Sequence, residues 1–332
     1  MKKIMNDPGN FVDESLKGIV AAYPSMLKFA DGDTRAVVRA AAPIENKVSI
    51  ITGGGYGHLP TFLGFVGDGF CDGVAVGNVF TSPSSETIVS AAKATYGGKG
   101  ILFLFGNYTG DIMNFEMAGE ILSMDDIDSN IVTVSDDVAS APRIEWQSRR
   151  GVAGLFFAYK VAGAKAQLGA SLEDVTAIAN KSCKNMATMG IALSSCQLPG
   201  AKKPIFEIGE DEMELGMGIH GEPGVERSSL KSSLEISELI IDRLVSDLDI
   251  QAGSEVAVLV NGLGATSREE IYILFKDAKS QLDSRNIQIV RTYVDEFATS
   301  MEMKGASISL LILDKEIKEL LDSPATTPFV RL

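Results

Sequence analysis

The chain has 332 residues, of which 45% are hydrophobic and 22% charged, a balance that supports sizeable cores and excludes a disordered chain. At roughly 150 residues per domain the length predicts about two domains. Lys and Arg number 30 against 44 Asp and Glu, for a net charge of −14; this argues against direct nucleic-acid binding, which needs a basic face to displace counterions.

In chain order, Phe11, Leu16, Ile19, Val20 and Tyr23 recur at helical spacing and predict an amphipathic helix over 10–29. Short strands are predicted at 36–39 and 47–52, the second running into Gly53-Gly54-Gly55-Tyr56-Gly57-His58. A strand that ends in a glycine-rich turn is how α/β proteins place a ligand at the C-terminal end of a sheet. A strand at 73–77 precedes the N-cap candidates Thr81 to Ser84 and a helix over 84–94. The apolar run 100–106 reads as a strand ending at Asn107-Tyr108-Thr109-Gly110-Asp111, with a helix from near Asn114. A strand at 130–135 ends in Asp136-Asp137, and helices follow at 153–168 and 171–187.

The composition shifts to Gly, Pro and Ser near 190–225, within which 212–220 alternates like a strand and carries His220. A second unit follows: helix 228–248, strand 255–260, the turn Asn261-Gly262-Leu263-Gly264-Ala265-Thr266, helix 268–284, strands 287–294 and 306–313, and a short helix to 322. Buried strands alternating with helices predict the α/β class. Cys71, Cys183 and Cys196 are widely spaced with no Cys-x-x-Cys pair, so no zinc knuckle or metal site is expected and reduced thiols are the plain reading. The N-terminal stretch lacks the apolar segment of a signal peptide, and no apolar run approaches the roughly 20 residues that span a bilayer, so a soluble cytoplasmic protein with no membrane association is expected.

Few side chains here can carry chemistry. Glycines after a strand leave backbone N–H groups free to face a phosphate or polyol, but the spacing at 53–58 fits neither a P-loop nor a dinucleotide fingerprint; the alternative is a structural turn. The two histidines of the chain, His58 and His220, both sit beside glycine turns at predicted strand ends. Each imidazole is either a structural hydrogen-bonder or a base, donor or carbonyl-directed nucleophile. Asp111 either orients a hydroxyl and takes its proton or caps the helix after it. The turn 261–266 reads as structural, and Trp146 with Arg149 and Arg150 as a surface or interface patch.

Taken together, these motifs resemble the DhaK family, the dihydroxyacetone-binding subunits of dihydroxyacetone kinases. The matching blocks are 53–58, Gly64-Phe65-Val66-Gly67, Phe80-Thr81-Ser82-Pro83, 107–111 with Asn114-Phe115, Arg149-Arg150-Gly151-Val152-Ala153-Gly154, 218–224, 261–266, and Thr299-Ser300 with Met303. They run in order along nearly the whole chain. The resemblance implies two α/β domains with mixed sheets, 1–188 carrying His58 and Asp111 and 189–332 carrying His220, with a ligand held by residues from both sides of the chain midpoint.

It also implies the chemistry. His220 matches the histidine that attacks the ketone carbon of dihydroxyacetone and forms a covalent hemiaminal, a step that needs neutral imidazole. His58 matches the histidine that hydrogen-bonds the substrate, Asp111 the carboxylate that takes the hydroxyl proton, and Gly55, Tyr56 and Gly57 line the same substrate site. ATP in this family sits on a partner subunit or domain, so no cofactor is expected on this chain; homodimerisation is implied as well.

The chain departs from the kinase subunits at Tyr56 (usually Ser), Leu59 (Glu), Phe62 (His), Ala41 (Asp) and Gly106 (Lys). A lysine beside the substrate stabilises charge on a transferring phosphoryl group, and glycine does not. Two functions follow from the resemblance. One is that of DhaQ, a paralogue that captures dihydroxyacetone and is the coactivator of the TetR-like transcription factor DhaS; the other is a kinase subunit for dihydroxyacetone or a related ketose. The departures favour the coactivator, with DNA contact left to the partner. A purely structural subunit would not require His58, Asp111 and His220 together.

Overall fold

In the computed structural model, which describes residues 2–332, the first helix, α1 (Phe11–Ala22), stops well short of its predicted end. Pro24 follows Tyr23, whose backbone sits outside the helical region at φ −127°, as the residue before a proline must. The chain turns instead into β1 (Leu27–Ala30), antiparallel to β2 (Asp33–Arg39). The apolar spacing of 10–29 thus merged a helix with a strand.

The chain divides into two compact units. The first comprises residues up to Val134 with Phe156–Ser182 and Glu319–Leu332; the second comprises Ser135–Leu155 and Cys183–Lys318. The division read from the sequence, between 188 and 189, falls inside strand β7 (Met186–Ala192), and each unit is built from separated segments.

The first unit holds a six-stranded sheet in the order β1-β2-β4-β3-β5-β6, with β3 (Ser49–Tyr56), β4 (Gly73–Val79), β5 (Ile101–Gly106) and β6 (Ser129–Val134). Strands β4, β3, β5 and β6 are mutually parallel, and β1 and β2 run antiparallel at one edge. Helices α2 (Ser85–Thr95) and α3 (Thr109–Ser123) return the chain between parallel strands. The apolar run of β5 is buried throughout, the pattern of a parallel strand covered on both faces. Phe105 stacks on Phe115 of α3 with ring centroids 4.0 Å apart. Most of α4 (Leu155–Gln167) and α5 (Leu172–Lys184) also belongs here.

An ion cluster lies beneath this sheet. Asp72 accepts from Arg39 Nη1 at 3.0 Å, Lys47 Nζ at 2.5 Å and the Ile50 amide at 3.0 Å, and all three charged side chains are nearly fully buried. The Arg39 guanidinium also reaches Asp68.

The second unit has the order β11-β10-β12-β7-β8-β9, with β8 (Glu212–Leu215), β9 (Glu226–Ser229), β10 (Glu255–Gly262), β11 (Gln288–Asp295) and β12 (Gly305–Ile312). Only β10 and β11 pair in parallel, so both sheets are mixed, as expected. Helices α6 (Ser233–Leu248) and α7 (Arg268–Ser284) each open on a reciprocal capping box, Ser232 with Glu235 and Ser267 with Glu270; the first sets the start of α6 five residues after its predicted start. The helix α8 (Lys315–Asp322) closes the series. The predicted strand 212–220 ends at Leu215 because Gly216 turns into the left-handed region at φ +75°. His220 therefore sits in a loop rather than at a strand end.

Removing Asp72 leaves the buried Lys47 ammonium without its carboxylate and Arg39 with Asp68 alone. Asp72→Ala is expected to destabilise the first unit by about 3–5 kcal/mol in urea unfolding; a loss below about 1 kcal/mol would show that the cluster is not a determinant of this fold.

Candidate functional site

The glycines of 53–58 are not turn residues. Gly53, Gly54 and Gly55 continue β3, and what excludes a side chain is close approach. A Cβ on Gly53 would lie 2.7 Å from the Ala75 carbonyl oxygen, one on Gly54 2.3 Å from the Phe62 ring, and one on Gly55 2.6 Å from the Thr81 amide nitrogen. Only Gly57, at φ +109°, serves as the turn itself. β3 is thereby pressed against the segments that follow it and β4, and His58 emerges beyond the C-terminal end of a parallel strand, where α/β sheets hold ligands.

His58 is buried between two phenylalanines. Its ring stacks on Phe80 with centroids 4.9 Å apart and an interplanar angle of 16°, and meets Phe62 edge-on at 6.2 Å. Both partners come from strained backbone: Phe62 has φ +67° and ψ −92°, and Phe80 φ +56°. Non-glycine residues rarely occupy this region, at a cost of about 1–3 kcal/mol each, and such residues cluster at functional sites. Gly54 to Leu59, Thr61, Phe62, Leu63 and Val76 enclose a cavity of about 10 Å³, room for one water. Tyr56 is directed elsewhere: its hydroxyl bonds Ser15 on α1, and its ring packs edge-on against Phe11 at 6.3 Å.

Asp111 follows β5. Helix α3 starts at Thr109, five residues before its predicted start near Asn114, so Asp111 lies inside the first turn and the cap position belongs to Tyr108. The capping reading of Asp111 is thereby replaced: its carboxyl is buried in the first turn of α3. The segment 80–84 links it to His58. Phe80 stacks on the imidazole, the point where a Gly110 Cβ would lie is 2.7 Å from Ser82 Oγ, and Asn114 Nδ2 donates to the Pro83 carbonyl at 2.7 Å.

In the second unit His220 rides on a loop tied by its own backbone. The Gly216 amide donates to the Gly190 carbonyl at 2.7 Å, that of Gly218 to Glu222 at 3.0 Å, and that of Gly221 to Gly218 at 3.0 Å. Ser300, singled out in the sequence, donates to the Ile219 carbonyl. Glu222 faces His220 twice, accepting from its amide at 3.0 Å and pairing Oε1 with Nδ1 at 2.9 Å. Burial works to raise the Glu222 carboxyl, but the hydrogen bond and charge of His220 outweigh it and hold the group at about 2. An ionised carboxylate has no proton to donate, so Nδ1 donates this hydrogen bond, and whenever the ring is neutral its lone pair is on Nε2. Glu222 is visible in the sequence only as part of the 218–224 block, with no role of its own.

The turn 261–266 is structural, as read. Asn261 Oδ1 accepts the Phe297 and Ala298 amides at 2.7 and 2.9 Å, and Thr266 Oγ1 donates to the Gly305 carbonyl at 2.6 Å. Among the described residues no three His, Cys, Asp or Glu side chains gather where a metal ion would sit, and no helix is long and apolar enough to cross a membrane.

Two mixed α/β units, one with its polar residues beyond a parallel sheet edge, match an established class. The Dak1 domain model matches residues 17–329, and the chain belongs to that family. It is 43% identical, over the full length of both chains, to the dihydroxyacetone-binding subunit DhaK of the PTS-dependent dihydroxyacetone kinase 2 of Listeria innocua. The crystal structure of the dihydroxyacetone kinase of C. freundii superposes with a TM-score of 0.90 at 32% identity, covering 98% of this chain and 59% of that one. The dihydroxyacetone kinase operon co-activator DhaQ superposes with a TM-score of 0.88 at 30% identity, covering 94% and 96%.

Two outcomes test this geometry. Gly54→Ala is expected to cost about 1–3 kcal/mol by overpacking against Phe62, and the loss should shrink by at least about 1 kcal/mol in a Phe62→Ala background; strict additivity would show that the ring is not what excludes the methyl group. Because the folded-state carboxyl of Glu222 is depressed from 4.5 to about 2, its contribution to stability is present above the unfolded value and lost as pH falls through that window. Glu222→Gln should flatten the pH dependence of unfolding between those values, and an unchanged slope would contradict the pairing.

Proposed function

We propose that the chain captures dihydroxyacetone, or a closely related small ketose, as a covalent hemiaminal on His220. The observation that carries this reading is the Glu222 carboxylate on His220 Nδ1, which leaves Nε2 as the nucleophilic atom. The Nε2 lone pair attacks the ketone carbon and the carbonyl π pair moves to oxygen. The ring becomes cationic, the oxygen takes a proton from its surroundings, and loss of the Nδ1 proton to solvent leaves a neutral hemiaminal. Glu222, with its depressed carboxyl, serves as a charge partner to the transient cation rather than as a store for the proton. A polyol without a carbonyl, such as glycerol, has no atom for this bond. His58 hydrogen-bonds the bound ketose and Asp111 accepts a hydroxyl proton, with Gly55 and Gly57 leaving the backbone open beside them; Tyr56, held by Ser15, shapes the wall.

The first use of this capture is as the substrate-binding subunit of a kinase whose phosphoryl donor resides on a partner. The 43% identity to a DhaK subunit across both full lengths supports it, as do His58 and Asp111. The second use is as a ligand-dependent coactivator of a TetR-like transcription factor of the DhaS kind, with the chain as a homodimer. The phenylalanine at position 62 and the glycine at 106 favour it, since they replace groups able to bond or neutralise a phosphoryl group, and the likeness to the DhaQ co-activator agrees.

Intact-mass measurement with dihydroxyacetone should show one adduct per chain that declines on acidification, because protonated imidazole has no lone pair to offer, and His220→Ala should abolish it; an adduct that survives His220→Ala contradicts the assignment. Adding an ATP-bearing kinase subunit with ATP, or the phosphoryl-donor protein of a PTS-dependent system, separates the two uses. Dihydroxyacetone phosphate formed at the rate of a known DhaK subunit supports the first, and ligand-dependent binding of a TetR-like factor without turnover supports the second.

A further inference from the structure

The Arg149-Arg150 pair, read from the sequence with Trp146 as a surface or interface patch, is largely engaged within the second unit. Arg149 is buried and forks onto Asp247 at 2.8 and 2.6 Å, with Nε donating to the Ala141 carbonyl at 2.8 Å. Arg150 faces the loop that bears His220. Its Nε donates to Asp137 Oδ2 at 2.9 Å, Nη2 lies 2.7 Å from the same oxygen in an ion pair, and Nη2 donates at 3.0 Å to the carbonyl of Gly216, the residue at which that loop leaves β8.

Gly218 shows how tightly the parts meet. A Cβ there would lie 2.5 Å from Arg150 Nη1 and 2.1 Å from Glu222 Oε2, so the guanidinium and the carboxylate that holds His220 flank the same bare glycine. Asp137 is fixed in turn: Oδ1 accepts the Ala139 amide at 3.0 Å, and its own amide donates to the Arg150 carbonyl at 3.1 Å. Burial pushes the Asp137 carboxyl up to about 6 despite the adjacent guanidinium, so its ionisation at neutral pH depends on Arg150 remaining in place.

We propose that Arg150, anchored on Asp137, is a positioning residue for His220: it pins the 216–222 loop through the Gly216 carbonyl and confines Glu222 beside Gly218, so that the neutral imidazole is held as the tautomer protonated on Nδ1 rather than on Nε2. An imidazole without such a partner prefers the opposite tautomer, with the hydrogen on Nε2, where it blocks attack on a carbonyl. The role rests on the ketone-capture reading for its purpose, while its structural content is a property of the ligand-free protein.

The test uses the full chain labelled with ¹⁵N-histidine, in which two imidazoles, those of His58 and His220, report separately. In wild type at neutral to alkaline pH, His220 should show a protonated Nδ1 and an unprotonated Nε2. In Arg150→Met the pattern should shift towards protonated Nε2, the His58 resonances should stay in place, and apparent affinity for dihydroxyacetone in the adduct assay should fall by about 10- to 100-fold. Arg150→Lys serves if the first variant does not fold. Its single ammonium reaches Asp137 but cannot fork to Gly216 as well, so it should give an intermediate tautomer shift and a smaller loss of affinity. A wild-type tautomer signature in a folded Arg150 variant overturns the proposal. A tautomer shift in a protein that forms no adduct even as wild type upholds the positioning role and refutes the capture reading instead.

Discussion

An ionised carboxylate can only accept hydrogen bonds, and the proposed chemistry of the second unit depends on Glu222 being held in that form. With Glu222 on Nδ1, the proposed attack by His220 falls to Nε2. The rest of the loop exists to keep the two side chains in register. Gly216 and Gly221 take left-handed backbone, Gly218 makes room for two charged groups at once, and Ser300 ties the Ile219 carbonyl. None of these residues carries reactive chemistry, yet each restricts where the imidazole sits.

The first unit reaches its arrangement by a different physical route. Its parallel strands end together, and three consecutive glycines in β3 bring backbone, ring and neighbouring loop into distances that no side chain would tolerate. Phe62 and Phe80, both with left-handed backbone, bring their rings onto His58. Replacing a polar group at position 62 by phenylalanine, as the departure from the kinase pattern implies, gives His58 an apolar edge contact and leaves space for little more than one water.

Much of the fold was legible where local signals agreed. Helix α7 was read at its observed limits because a capping box and an apolar stripe coincide there, and β5 was clear from its uninterrupted apolar run. Three strands were not. β1 was absorbed into the periodicity of the helix before it, β7 begins two residues after α5 ends within a predicted helix, and β9 is four polar residues with no pattern to detect. The units themselves were hidden because each combines distant segments, and a linear scan for composition shifts sees only contiguous stretches. His58 and His220 stood out as the two histidines of the chain, both beside glycine turns, and Asp111 as a carboxylate past a strand end. Glu222, Arg150, Phe62 and Phe80 were visible only as members of motif blocks or as a departure, because their contacts with the histidines are made in the fold.

The account reduces to one bond, from His220 Nε2 to the carbonyl carbon of a small ketose. The most direct measurement is NMR of the ¹⁵N-histidine-labelled protein with dihydroxyacetone carrying ¹³C at the carbonyl. The account predicts that this carbon moves from the ketone to the tetrahedral range and shows one-bond coupling to Nε2 of His220. A bound carbon that remains trigonal, or one coupled to His58 or to Nδ1, would contradict it.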